Sequence, residues 1–164
     1  KEVRRGRISE YAEHVGCEFR AGERPWAVEG AEVALPCATQ NELSGDEAKV
    51  LLANGVFVVA EGANMPSEPD AVRRFVDAGI LFGPGKAANA GGVAVSGLEM
   101  VQNATFSTWT REQVDSRLLG IMVDIHHSCL TAAADYDQPG NYVVGANIAG
   151  FEKVASAMLA QGVV

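Results

Sequence analysis

The chain has 164 residues, 48% of them hydrophobic, which is enough for one domain with a buried core and argues against intrinsic disorder. Its 21 acidic residues outnumber 13 basic ones, and the formal net charge of -8 argues against a nucleic-acid or anionic-membrane surface. Cys17, Cys37 and Cys129 are far apart and show no C-x-x-C spacing, as expected of reduced thiols in a cytosol rather than a disulfide framework.

Residues 2–15 place Val3, Ile8, Tyr11, Ala12 and Val15 at mostly helical spacing, with Gly16 as the stop. The basic cluster Lys1–Arg7 reads as the solvated face of that helix. The sequence lacks an initiator Met and opens as if inside a charged helix, so it is expected to be a piece of a longer protein. Residues 17–30 are turn-rich. Ala31–Leu35 is a short apolar run closed by Pro36, expected to be a buried strand. Ser44 and Glu47 form a capping-box pair ahead of a helix that runs to about Ala53. Val56–Ala60 is a β-branched strand, Ser67 or Pro69 opens a helix ending before Gly79, and Ile80–Phe82 is a third strand. This βαβ order predicts a parallel sheet with right-handed crossovers. Three helices then follow, at about 90–106, 110–134 and 142–161. The fold class is therefore α/β, a partial Rossmann-like parallel sheet of about three strands followed by three carboxyl-terminal helices. No apolar run reaches the roughly 18 residues that span a bilayer, and no signal-peptide pattern is present.

Ligands of open parallel sheets sit beyond the carboxyl ends of the strands. Those ends lead into Cys37–Glu42, Glu61–Pro66 and Gly83–Lys86, all polar or glycine-rich. Glu61 and Glu42 could do acid–base work there, or could equally cap a helix or hold an Arg. Cys37 reads as a packed thiol, since no partner His is indicated. Gly83–Gly92 does not fit a G-x-G-x-x-G fingerprint, so close packing at Gly83 and Gly85 is favoured over phosphate binding. His126 and Cys129 stand three apart, yet nothing nearby offers a third metal ligand, and structural histidines are favoured. Asn64 and Asn89 follow small-residue runs at this edge, where an amide orients a ligand or makes a local Asx turn or cap.

Lys86–Met100 (KAANAGGVAVSGLEM) holds more information than any other stretch. Asn89, Val93 and Ser96 are spaced i, i+4 and i+7, one face of a helix. Gly91, Gly92 and Gly97 add no bulk. Each interior glycine costs a helix roughly 1 kcal/mol, so helix–helix or ligand contact must offset it.

Taken together, PCATQNEL (Pro36–Leu43), AEGANMP (Ala60–Pro66), GPGKAANAGGVAVSGLEM (Gly83–Met100), DIHHSC (Asp124–Cys129) and NYVVGANIAGF (Asn141–Phe151) resemble the carboxyl-terminal part of bacterial NADP-type glutamate dehydrogenases. The resemblance covers almost the whole chain. Leucine, phenylalanine and valine dehydrogenases share the layout with less similar segments. It implies the second half of a Rossmann-like coenzyme domain over residues 1–88, and over 89–164 helices packing back across the cleft. It also implies reversible oxidative deamination of L-glutamate to 2-oxoglutarate and ammonia with NADP, in a cytoplasmic homohexamer, with no nucleic-acid or membrane partner. Matched to the family, Ser96 binds the substrate side-chain carboxylate, Val93 walls its methylenes, and Asn89 lies near substrate and nicotinamide. Asn64, Ala38 and Thr39 line the nicotinamide and ribose. The family's catalytic Lys and Asp and its phosphate loop have no counterpart here, so the isolated chain is expected to be inactive. NAD stays open, because the residue that decides the coenzyme ends a strand this chain lacks. Two other readings stay open as well: a non-catalytic nucleotide- or ligand-binding module, and an amino-acid dehydrogenase with an apolar pocket.

Overall fold

The computed structural model describes residues 6–162. Three short parallel strands, β1 (Val33–Ala34), β2 (Val58–Ala60) and β3 (Leu81–Gly83), form a sheet in the order β1-β2-β3. One helix fills each crossover: α2 (Gly45–Ala53) between the first pair and α3 (Pro69–Asp77) between the second. Local chemistry sets these elements. Ser44 and Glu47 complete the capping box of α2, the Ser44 N–H donating to Glu47 Oε2 at 2.8 Å. Pro69 sits in the first turn of α3, and Gly79, at a φ of +67°, takes the left-handed turn that returns the chain to β3.

Register separates the two faces of the sheet. Ala34, Val59 and Phe82 lie side by side and are buried under Ala48 and Leu51 of α2 and Ala71 and Phe75 of α3. The Phe75 and Phe82 rings stack with centroids 5.6 Å apart. The neighbouring row is Val33, Val58 and Leu81, and its outer members are 47% and 68% exposed. Ala31–Leu35 is therefore not the buried strand its composition suggests. It shortens to two residues at the sheet edge, with Val33 and Leu35 uncovered, because helices of the described residues cover one face.

Beyond β3 come α4 (Gly85–Ala88), α5 (Ala90–Ala104), α6 (Arg111–Asp135) and α7 (Tyr142–Gln161), with no further strand among the described residues. Thr110 and Gln113 cap α6 reciprocally, and Asn141 Oδ1 accepts the Val144 N–H to start α7. The α6–α7 crossing leaves no room at Gly145, where a Cβ would collide with the Cys129 carbonyl; Cys129, Ala132 and Ala133 are buried there. The expectation about membrane spans needs correction. By length and composition α7 is apolar enough to cross a bilayer. It packs on α6, and Glu152 and Lys153 interrupt its apolar sequence in the middle. At the amino end, α1 (Ile8–Val15) stops at Gly16 as expected, and Ile8, Tyr11 and Val15 are exposed. Residues 1–5, with most of the basic cluster and the start of the expected helix, lie outside the described residues.

Candidate functional site

The loops at the carboxyl ends of β1 and β2 are stitched together. The Gly62 and Ala63 N–H groups donate to the Pro36 carbonyl at 2.9 and 3.1 Å, and the Asn41 N–H donates to the Met65 carbonyl at 3.0 Å. Asn41 and Met65, joined by this bond, both hold left-handed backbone, with φ of +54° and +49°. Glu42 Oε1 accepts the Ala38 N–H at 2.8 Å and fixes the turn that exposes Ala38 and Thr39.

Asn89 joins this edge from the third strand end. Its Nδ2 donates to Asn64 Oδ1 at 2.7 Å and to the Ala63 carbonyl at 3.1 Å. The two asparagines singled out separately in the sequence thus form one unit. Among the described residues, Asn64 keeps its Nδ2 donors and Asn89 its Oδ1 acceptor. Asn89 is not, however, on a continuous helix with Val93 and Ser96. It breaks the chain between α4 and α5, and it occupies the N-cap position of α5 without a side-chain capping bond. Its side chain turns to the loop instead. Val93 and Ser96 do share a face of α5, and that face is open: Val93 is 74% exposed, and the Ser96 hydroxyl donates to the Gly92 carbonyl at 3.3 Å. A hydroxyl bound this way still accepts through its lone pairs. The glycines of α5 divide between two environments. Gly91 faces Leu118 and Met122 of α6, whereas a Cβ on Gly92 or Gly97 would meet nothing within 4 Å.

The structure also sorts the charged candidates. Glu61 is 5% exposed, and both its oxygens are engaged: Oε2 accepts the Gly85 N–H at 2.6 Å and Oε1 the Ser67 N–H at 3.3 Å. That is anchoring, not acid–base work. Close packing is found at Gly85, where a Cβ would lie 2.8 Å from the Ala63 carbonyl oxygen. Gly83 would make only ordinary contacts, 3.6 Å from the Ala88 Cβ. Cys37 is exposed rather than buried, although its sulfur abuts Gly62. His126 is structural in the expected sense: its Nδ1 lies 3.1 Å from the Tyr142 hydroxyl, tying α6 to α7. Burial, then the Cys129 thiol, push the Tyr142 phenol up to about 12. Among the described residues no group of three or more His, Cys, Asp or Glu could hold a metal ion. Lys86 donates to Asn147 Oδ1 on α7. Asn147, Tyr142 and Gly145 escaped the sequence reading, although the small-residue pattern of YVVGANIAG marks a close helix contact.

The family model for Glutamate/Leucine/Phenylalanine/Valine dehydrogenase matches residues 1–162. The chain belongs to this family. It is 58% identical over 164 residues to the NADP-specific glutamate dehydrogenase of Salmonella typhimurium, covering 100% of this chain and 36% of that protein. Its fold matches the glutamate dehydrogenase of Plasmodium falciparum with a TM-score of 0.92 at 49% identity, over 97% of this chain and 34% of that one. A hetero-hexameric glutamate dehydrogenase from Thermus thermophilus, in a Leu-bound form, matches with a TM-score of 0.79 at 25% identity, over 96% of this chain and 37% of that one. The chain therefore spans about a third of the length of the relatives it matches.

Proposed function

We propose that this chain forms one wall of the active site of a glutamate dehydrogenase, which interconverts L-glutamate, water and oxidised NADP with 2-oxoglutarate, ammonium, reduced NADP and a proton. The Asn64–Asn89 hydrogen bond carries the reading, because it joins the coenzyme edge of the sheet to the helix that bears Val93 and Ser96. Ser96 turns its hydroxyl from the Gly92 carbonyl to donate a hydrogen bond to the substrate side-chain carboxylate, Val93 lies along the methylenes, and Asn89 sits between substrate and nicotinamide. Asn64, Ala38 and Thr39 line the nicotinamide and ribose. The adjacent amide donors of Asn64 and acceptor of Asn89 suit the carboxamide of a nicotinamide ring. When bound, NADP supplies the hydride acceptor; NAD would present the same ring to these residues. The wall orients a dicarboxylate without balancing its charge, and Lys86 is turned to Asn147. The balancing cations, and the catalytic Lys and Asp of the family, belong to the rest of the polypeptide. Residues 1–88 serve as the second half of the coenzyme domain and 89–164 as helices closing on the cleft. The whole protein works as a hexamer in the bacterial cytoplasm.

The test is turnover by the full-length protein. Glutamate-dependent reduction of NADP is expected, with none from the 164-residue chain alone. Faster reaction with leucine, phenylalanine or valine would overturn the substrate assignment.

A further inference from the structure

We infer that Glu61 is a positioning residue for this site, acting through Asn89; the inference rests on the function proposed above. A carboxylate taken out of water is costly unless its oxygens are matched by donors. Glu61 is nearly fully buried, and among the described residues no Lys or Arg lies within ion-pair distance of it. Its charge is held by two backbone N–H groups, those of Gly85 and Ser67. Both donors belong to the cleft edge. Gly85 opens α4, and its carbonyl accepts the Asn89 N–H at 2.9 Å. Ala63, two residues beyond Glu61, supplies the carbonyl that takes the Asn89 side-chain N–H. Glu61 thus fixes the distance between the two backbone anchors of Asn89. The fit leaves no slack, since a Cβ on Gly85 would lie 2.8 Å from the Ala63 oxygen and 3.4 Å from Glu61 Oε2. A glutamine here would keep the shape, lose the charge and turn an NH2 group toward one of the two N–H donors. Asn89 would then lose its aim.

A double-mutant cycle in the full-length enzyme tests this. Glu61→Gln and Asn89→Ala are each expected to raise KM for glutamate about tenfold, and the double variant is expected to rise no further than either alone. Rises that multiply to about a hundredfold, or a Glu61→Gln variant with lowered Tm and unchanged KM, overturn the positioning role while leaving the site intact. An Asn89→Ala variant with unchanged KM overturns the proposed role of Asn89 itself. If Glu61→Gln does not fold, the same cycle is run with Glu61→Asp, which keeps the charge but falls one methylene short.

Discussion

Tyr142 gives the α6–α7 contact a measurable pH dependence. Burial and the nearby Cys129 disfavour the phenolate, raising the Tyr142 pKa from 10.0 to about 12. A group whose folded pKa is raised adds stability below its unfolded pKa and loses it as pH climbs through the folded one. The contribution is therefore whole below pH 10 and lost toward pH 12. Thermal midpoints measured across that window should fall more steeply for the native enzyme than for Tyr142→Phe. Equal slopes would contradict the assignment. At this scale the sequence is informative about chemistry and silent about pairing. Asn64 and Asn89 both stand out at strand ends, but their mutual bond depends on where α4 stops. The run KAANAGG carries no Pro, and its apolar spacing continues unbroken. The break at Asn89 comes from tertiary bonds to a loop some 25 residues upstream, which outweigh helical continuity.

Elements were legible where a local signal names their ends. The Ser44 box, the Gly16 and Gly79 stops and the Asn141 start all match the structure. Thr110-x-x-Gln113 carries the same capping signal for α6. The strands were overextended, since β-branched runs reveal burial potential but not which face a partner covers. Helix contacts make the sharpest element-scale prediction. Gly145→Ala places a methyl against the Cys129 backbone, which cannot yield without parting α6 from α7. A loss of about 1–3 kcal/mol, read from denaturant midpoints of the full-length enzyme, is expected. Gly91→Ala meets only flexible side-chain ends at 3.5 and 3.6 Å, and its better helix propensity should hold stability or raise it by up to about 1 kcal/mol. Equal losses at the two sites would contradict the close crossing.

Seen whole, the molecule buries one face of its sheet and leaves apolar rows open on β1 and β3, α1 and the second half of α7, where Phe151, Val154 and Leu159 are exposed. Exposed apolar rows of this kind suit surfaces that another part of a protein covers. It accords with a chain that spans 36% of its Salmonella relative. The isolated chain should bind an environment-sensitive apolar dye far more strongly, per copy, than the full-length enzyme. Comparable binding would mean that these faces stay open. The central claim, that α5 presents the wall reading a substrate side-chain carboxylate, meets its most direct test in Ser96→Ala of the full-length enzyme. A hydrogen bond to a charged group contributes roughly 1.5–3 kcal/mol, so KM for glutamate should rise about tenfold or more while KM for the coenzyme stays within about twofold. An equal rise in both constants, or none in that for glutamate, would contradict it.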